Sequence, residues 1–279
     1  MNTKFVRSKF NLLIIFYLAL LILASGTFYF KYASKPDTNV VKPVLASSQV
    51  LAKQKKQFAL PILIYHYVEI VKNPKDTIRK SLNIQPQAFE QQIKTIQNAG
   101  YTFITPSQIQ GIESGQLKID KPIILTFDDG YSDFYTDVFP ILKKYNVRVA
   151  TYIVPGFLDH PNYMSWQEVK EISKSNLVEI GAHTENHVVL AKLAASDATT
   201  QIVQSKRILE EQLGIKIATF AYPYGSFNDQ IIKIVETAGF TSAMTEIPGP
   251  NQNEEQPFLL RRIHPGTAVG TALVYRIEH

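Results

Sequence analysis

Short apolar runs alternate regularly with amphipathic segments after residue 57, and this alternation limits the folds that the chain can adopt. Strand-like runs are predicted at residues 62–67, 102–104, 123–127, 149–154, 178–182, 218–222 and 241–244. Helical patterns are predicted at residues 87–99, 134–145, 198–213 and 229–238, each followed by or ending near a glycine or asparagine. The alternation predicts parallel strands with helices outside them, in a βα barrel or an open sheet.

Two short motifs lie at the ends of two of these apolar runs. Thr-Phe-Asp-Asp-Gly occupies residues 126–130, and His-Thr-Glu-Asn-His occupies residues 183–187. Each is weak alone, since Asp-Asp-Gly is common in turns. Two imidazoles and one carboxylate, however, form a mixed ligand set for a divalent metal ion, and the second aspartate could take a proton from an attacking water. Active sites of βα folds lie at such strand ends, so together the motifs predict a metal site.

These motifs, in this order, resemble those of the polysaccharide deacetylases of the NodB-homology type, carbohydrate esterase family four. The resemblance runs over residues 60–267 and is greatest to the poly-N-acetylglucosamine deacetylase branch. It implies Asp128 as the general base and Asp129, His183 and His187 as metal ligands. It also implies an α/β fold, a distorted (β/α) barrel that commonly has seven strands, with the site at their carboxyl ends.

Two further motifs of the family concern the substrate. Ser165-Trp166 resembles the motif whose tryptophan forms a wall of the substrate groove. Residues 220–225, Phe-Ala-Tyr-Pro-Tyr-Gly, resemble the third family motif and imply that the backbone N–H of Tyr224 binds the oxyanion. Tyr222 is expected to contact the substrate beside it, and Tyr131 is a further aromatic candidate for stacking against sugar faces.

The chain departs from the family pattern at two positions. Many members have an arginine at the position of Ala221, where it pairs with the base. Arg261 or Arg262 could replace it, although arginines near the end of a last strand more often face solvent. The family's late Leu-x-x-His motif is also irregular here, because one extra residue precedes His264. Residues 61–68 resemble the first strand of the poly-N-acetylglucosamine deacetylase branch, which carries the acid histidine at the amino end of the domain. This resemblance implies His66 as the general acid, with His264 as the alternative.

The resemblance implies a hydrolase that removes acetyl groups from N-acetylglucosamine units of an extracellular polysaccharide, poly-β-1,6-N-acetylglucosamine or a related polymer. A divalent metal ion is expected, zinc first, while cobalt, nickel and iron also suit the ligands. Peptidoglycan is an alternative substrate. An alternative from another class is a membrane-anchored glycan-binding pseudoenzyme, but the complete ligand set and base argue against it. Machinery for polysaccharide synthesis or export is a candidate partner.

The amino terminus predicts a membrane anchor. Lys4, Arg7 and Lys9 precede residues 10–30, which carry no charge, and about 20 apolar residues suffice to span a bilayer as a transmembrane helix. The basic flank, residues 1–9, is expected in the cytoplasm. Residues 31–57 then form an extracytoplasmic linker and residues 58–279 a catalytic domain at the cell surface. Cleavage near Ser25 would instead give a secreted protein.

Composition excludes several other classes of protein. The chain has no cysteine, which rules out disulfides, zinc–thiolate sites and a cysteine nucleophile. Its formal net charge is +5, and part of that charge lies in the predicted linker, at Lys53, Lys55 and Lys56. No basic stripe interleaved with aromatic residues is present, so nucleic acid is not an expected partner.

Overall fold

A computed structural model describes residues 57–71, 73 and 75–279. The strands of this part of the chain are β1 (Gln57–Ala59), β2 (Ile62–Tyr65), β3 (Tyr67–Val68), β4 (Asn83–Ile84), β5 (Thr102–Phe103), β6 (Pro122–Asp129), β7 (Val149–Ile153), β8 (Val178–Ala182), β9 (Thr219–Ala221), β10 (Ser242–Pro248), β11 (Asn251–Asn253) and β12 (Leu260–Arg262). Its α-helices are α1 (Thr77–Ser81), α2 (Pro86–Asn98), α3 (Ile109–Glu113), α4 (Phe139–Tyr145), α5 (Trp166–Ser173), α6 (Ala195–Leu213), α7 (Asp229–Thr237) and α8 (Thr271–Glu278).

The main sheet curls into a nearly closed barrel of parallel strands. Its strand order is β2-β6-β7-β8-β9-β10-β12, and β5 adds to the start of β6. The two edges of this order meet, because the N–H of Ile64 donates to the carbonyl of Ile263, and the N–H of Ile263 donates to the carbonyl of Ile62. The expected α/β barrel is therefore present, and its strands deliver their carboxyl ends to one rim.

Alternation along the strands separates an inner core from an outer one. The inner core contains Ile62, Ile124, Tyr152, Ala221, Met244 and Leu260, among others. The outer core joins the strands to the helices, for example through Phe89 and Ile93 of α2. Gly181 faces inward, and a Cβ there would come within 2.4 Å of the ring of Tyr152. The absence of a side chain at position 181 thus leaves room for the largest apolar group inside the barrel.

Most predicted elements are present, with changes at their ends. The predicted strand at residues 178–182 is β8, whereas the strand at residues 62–67 divides at His66. Tyr67 and Val68 leave the barrel and pair with β4 instead. The predicted helix at residues 134–145 begins as a π-helical turn, Phe134–Val138, before α4. Pro140 has no N–H to give to the carbonyl four residues earlier, which interrupts the regular α-helical ladder.

Ser165 is the N-cap of helix α5. Its hydroxyl accepts from the N–H of Glu168, and the Glu168 carboxylate accepts from the N–H of Ser165, so α5 begins with a reciprocal capping box. Several short elements were not predicted, and β12 and α8 are among them. Strand β12 carries two arginines in three residues, and this composition hid it from a search for apolar runs.

The predicted anchor at residues 10–30 and nearly all of the predicted linker lie outside the described residues. Within the part of the chain that the structure describes, no helix is both long enough and apolar enough to cross a bilayer. The predicted division at residues 9, 30 and 57 stays a prediction.

Candidate metal centre and catalytic site

Asp128 and Asp129 end strand β6 at the carboxyl rim of the barrel, and both are buried. Successive side chains of a strand point to opposite faces. Asp128 accordingly points inward to Arg262, whereas Asp129 points to the two histidines of the 183–187 motif. One strand end therefore supplies carboxylates to two different environments.

His183 follows strand β8 directly and is buried. Its Nδ1 lies 2.7 Å from the backbone carbonyl oxygen of Ala221. A carbonyl can only accept a hydrogen bond, so Nδ1 carries the proton and the neutral ring leaves its Nε2 lone pair free. That Nε2 atom lies 3.3 Å from Oδ1 of Asp129. The fixed tautomer is the one that a metal ligand requires.

His187 is partly buried and approaches the same carboxylate. Its Nε2 lies 3.1 Å from Oδ1 of Asp129, and its Nδ1 lies 3.1 Å from the hydroxyl oxygen of Tyr224. The ring centroids of His187 and Tyr224 are 4.5 Å apart. Tyr224 thus touches a candidate ligand through both its ring and its hydroxyl, while 60% of its surface stays exposed.

The three residues fit a divalent metal ion. One ligand atom from each of Asp129, His183 and His187 lies within 4.8 Å of the others. Oδ1 of Asp129 is buried, yet neither nearby imidazole nitrogen is aligned to donate a hydrogen bond to it. A buried carboxylate oxygen without a donor is costly unless a cation satisfies it. The donor set of two nitrogens and one oxygen suits zinc and its neighbours in the first row and does not choose among them.

Four of the eight non-glycine residues with positive φ in the described part of the chain lie at this cluster. Asp129, Thr184, His187 and Tyr224 all have φ between 53° and 78°, the left-handed region that side chains with a Cβ disfavour. Each such residue costs about 1 kcal/mol or more, and packing must hold it in place. These four are two candidate ligands, the residue after His183, and the residue that contacts His187.

Arg262 forms a bidentate ion pair with Asp128 inside the barrel. Its Nη1 and Nη2 lie 2.8 Å from Oδ1 and Oδ2 of the aspartate, and its Nε donates to the carbonyl of Thr245. Burial raises the pKa of Asp128, but the charge of Arg262 and its hydrogen bonds to the carboxylate outweigh this effect and hold the pKa below its usual value. Asp128 is therefore ionised at physiological pH and keeps a fixed orientation.

Arg261 and Arg262 could either replace the missing motif arginine or face solvent, and Arg262 replaces it. Arg262 is fully buried, whereas its neighbour Arg261 is exposed. The two alternate as strand residues must, and Ala221 belongs to the same inner core, where its small side chain does not compete for the space. Recognising residues 260–262 as a strand would have revealed that one of the two arginines must point inward.

His66 and His264 lie side by side beneath the rim. Both line a small cavity of about 80 Å³, together with Asn83 and Ile84. His66 is partly buried and His264 is exposed. Although His264 has exposed surface, partial desolvation of its ring lowers the pKa of His264, and the charge of His66 lowers it further. The structure thus brings both candidate acids near Asp128, and the assignment of the acid to His66 stays a prediction.

The predicted substrate contacts differ in their positions. Tyr222 is fully buried, packs edge-on against Phe220, and donates its hydroxyl to the carbonyl of Phe258. The predicted contact of Tyr222 with substrate is therefore corrected: it is a core residue. Trp166 is the first residue of α5, is partly buried and packs against the outer core. Its contact with substrate stays a prediction.

Comparisons with known proteins find similarity to polysaccharide deacetylases. Residues 116–243 match the sequence model of the family described as polysaccharide deacetylase. A Bacillus subtilis protein assigned to the polysaccharide deacetylases, YxkH, is 27% identical over 249 residues, which cover 88% of this chain and 86% of that protein. A poly-β-1,6-N-acetyl-D-glucosamine N-deacetylase of Staphylococcus aureus is 27% identical over 191 residues, which cover 63% of this chain and 66% of that enzyme.

The fold also has solved relatives. The Streptococcus pyogenes deacetylase PplD, whose structure contains acetate, superposes with a TM-score of 0.72 at 26% identity. The match covers 80% of this chain and 99% of PplD. The similarity therefore extends over nearly the whole barrel.

Proposed function

Because this chain belongs to the polysaccharide deacetylase family of hydrolases, we propose that it removes acetyl groups from the N-acetylglucosamine units of a polysaccharide, in a metal-dependent reaction. This proposal rests on one observation: the two adjacent carboxylates at the end of β6 lie in different environments. Asp129 joins two histidines in a set able to hold a metal ion, and Asp128 lies next to it in an ion pair.

A divalent ion bound by Asp129, His183 and His187 would act as a Lewis acid on the amide carbonyl and the attacking water. Asp128 is proposed to accept the proton of that water. It suits this role because it is ionised, and because its bonds to Arg262 occupy one acceptor direction on each oxygen and leave the other free.

The backbone N–H of Tyr224 is proposed to donate to the oxygen that becomes negatively charged during attack. Tyr224 lies beside His187, and its left-handed backbone, with φ of 58°, fixes the direction of that N–H. Such a donor contributes about 3 kcal/mol to catalysis when it is placed in advance.

His66 is proposed to give a proton to the departing amine. An amine anion is a very poor leaving group, so the bond to carbon breaks only when this proton is supplied. His66 is near enough to Asp128 for its charge to affect the pKa of that residue. His264, in the same small cavity, is the alternative donor.

Poly-β-1,6-N-acetylglucosamine is the proposed polymer, on the basis of the resemblance to the Staphylococcus aureus enzyme that acts on it. The anchor predicted at residues 10–30 would place the reaction outside the membrane, where such a polymer is found. A contact with synthesis or export machinery belongs to the same proposal.

Acetate release from a β-1,6-linked N-acetylglucosamine oligomer tests the proposal. The full-length protein in detergent would be assayed with zinc or cobalt, with a chelator, and as the Asp128→Asn variant. Release that requires both metal and Asp128 supports the proposal. If the folded, metal-loaded protein releases no acetate from this oligomer but does so from peptidoglycan fragments, the polymer is wrong. If both substrates fail, a glycan-binding pseudoenzyme becomes the better description.

A further inference from the structure

Gln92 is a fully buried amide on the face of helix α2 that packs against the barrel. The other buried residues of this helix are apolar: Phe89, Ile93 and Ile96. A buried amide is costly unless its polar atoms are hydrogen-bonded, and an apolar side chain would complete the same face without that cost. The reason for a glutamine at this position therefore lies in what its amide binds.

The amide of Gln92 joins two segments that are far apart in sequence. Its Oε1 accepts a hydrogen bond from the hydroxyl of Tyr65, at 2.8 Å. Its Nε2 donates to the carbonyls of Gly266 and Ala268, at 2.9 Å and 2.7 Å. Both hydrogens of the amide are thus used, and the three bonds fix the side chain in one orientation.

Each of the two segments carries one of the candidate acids. Tyr65 directly precedes His66, and Gly266 follows His264 by two residues. All four of these residues line the cavity of about 80 Å³ described above. The buried amide therefore connects the two stretches of backbone that border this cavity and hold the histidines.

Each segment is also held by a second contact. The ring of Tyr65 stacks on that of Phe127, with 5.0 Å between the centroids. On the other side, Nη1 of Arg276 in helix α8 donates to the carbonyl of Pro265, at 3.2 Å. Because both of its partners are fixed in this way, the amide of Gln92 sets a distance between two packed segments.

A second buried glutamine joins the same two edges of the barrel. Gln252, in strand β11, donates through Nε2 to the carbonyls of Leu60 and Arg261, and its Oε1 accepts from the N–H of Arg261. Leu60 precedes strand β2, and Arg261 lies in strand β12, so this link lies on the amino side of the contact between the two strands. Gln92 and Gln252 each make three hydrogen bonds, but only Gln92 binds the segments that carry the histidines.

The separation of the two histidines matters because their charges interact. Partial desolvation lowers the pKa of His264, and the charges of His66 and Arg262 lower it further. The charges of Glu246 and Asp128 act in the opposite direction. Since the energy between two charges falls with distance, the separation determines how strongly one protonated imidazole opposes protonation of the other.

We propose that Gln92 is a positioning residue that sets the separation of His66 and His264 and so keeps the proton for the departing amine on one imidazole of the pair. The proposal rests on the proposed function, since this proton is required only when the amine departs. A donor acts only within hydrogen-bond reach of the atom that it protonates, and a displacement of about 1 Å can cost about 100-fold in rate. Gln92 acts through the backbone on either side of the cavity.

The first test compares Gln92→Met with Gln252→Met in the full-length, zinc-loaded protein in detergent. Each change replaces a buried amide that makes three hydrogen bonds by an apolar side chain of similar length. We expect Gln92→Met to lower kcat for acetate release by about tenfold and to leave KM within about twofold. The alkaline limb of its pH–rate profile should move to higher pH, because weaker repulsion lets the donor keep its proton longer.

Gln252→Met should lower the melting temperature by a similar amount but keep kcat within about twofold and the pH–rate profile unchanged. Tyr65→Phe breaks only one of the three bonds of Gln92, so it keeps the proposal testable if Gln92→Met does not fold. We expect about a threefold loss of kcat from it, with a shift of the alkaline limb in the same direction. Wild-type kcat and pH profile in Gln92→Met, or the same changes in Gln252→Met, would overturn the role of Gln92.

A spectroscopic measurement separates this role from the proposed activity. If the wild-type protein releases no acetate, the proposed function fails, and the positioning is then tested by NMR titration of histidine-labelled protein. The signal of His264 is identified by its absence from His264→Asn. Its pKa should rise toward the usual value in Gln92→Met and stay unchanged in Gln252→Met. An unchanged pKa of His264 in Gln92→Met would reject the proposal.

Discussion

Asp128 and Asp129 are neighbours in sequence, both are buried, and they lie in opposite environments. Asp128 faces the interior of the barrel and has a permanent cation, Arg262, bonded to both of its oxygens. Asp129 faces two imidazoles, which are charged only when protonated, and its Oδ1 has no hydrogen-bond donor. A base needs a partner that holds it and keeps it ionised, whereas a metal ligand needs an unused lone pair. Because successive side chains of a strand point to opposite faces, the end of one strand meets both needs.

The largest expected effect comes from neutralising each aspartate in turn. Asp128→Asn should lower kcat by about a thousandfold, within the range for general bases, and should keep its metal. Asp129→Asn should lose both metal and activity, because it removes one of three ligands. Elemental analysis and acetate release measure the two properties separately. Asp120→Asn, at an exposed turn, is the matched control. Loss of metal from Asp128→Asn would mean that the two aspartates do not have separate roles as base and metal ligand.

Replacing Arg262, the cation inside the barrel, should have the next largest effect. Arg262→Met leaves Asp128 buried and unpaired, which should destabilise the protein by about 3–5 kcal/mol. Burial would then dominate and raise the pKa of Asp128. In the wild-type protein the lowered pKa contributes stability above about pH 4 that is lost below it, so the variant should be more impaired at pH 7 than at pH 4.

Urea denaturation at both pH values measures this effect, and the acid limb of the pH–rate profile should move to higher pH. Arg261→Met is the control, since that arginine is exposed and its Nη1 bonds only to the carbonyl of Pro248. An Arg262→Met protein with wild-type stability at pH 7 would show that the pair is not what holds Asp128.

Asp133 is a third buried acid, and it tests whether the cation beside Asp128 determines the direction of the pKa shift. Burial raises the pKa of Asp133 to about 6, and the negative charges of Glu69 and Asp137 add to that shift, while the N–H of Val68 opposes it. Below about pH 4 the acid is protonated in both states, and stability is then lost as the pH rises through 6, by up to about 3 kcal/mol.

Asp133→Asn should remove this loss. Its unfolding free energy relative to the wild-type protein should therefore rise between pH 4 and pH 8, the opposite trend to that of Arg262→Met. Chemical denaturation of both proteins in a chelator, at one-unit pH intervals, gives the comparison. Parallel pH profiles would mean that Asp133 ionises normally in the folded protein.

The smallest expected effect is a change in the affinity of the site for metal. Tyr224→Phe removes the hydroxyl that contacts Nδ1 of His187 and leaves the ring in place. Partners that orient a ligand typically change metal affinity by 10–100-fold, and we expect about tenfold because Tyr224 is largely exposed. Competition with a chromophoric chelator measures this affinity, with Tyr275→Phe as the control. A metal affinity within about twofold of wild type would mean that the backbone, and not the Tyr224 hydroxyl, orients His187.

The local sequence pattern was sufficient to predict many of the helices and strands. Where it failed, the reason can be identified. The runs that became β6, β7 and β8 are continuous and apolar, because both faces of these strands are buried. Strand β12 was missed because its inward residue is an arginine whose charge is neutralised only by a distant aspartate. Tyr222 was assigned to the substrate because its motif adjoins the site, yet the β9 strand end turns its ring into the core.

The sequence by itself determined the alternation of strands and helices and the 126–130 and 183–187 motifs, which are local properties of the chain. The family resemblance that these motifs carry then implied the barrel and the ligand set. The sequence also predicted an anchor at residues 10–30, outside the described residues. Only the tertiary structure decided which arginine pairs with Asp128, that Tyr224 contacts His187, and that Tyr67, Tyr131 and Tyr163 stack in one row. The reason is physical, because these contacts join residues far apart in sequence, and barrel closure alone sets their distances.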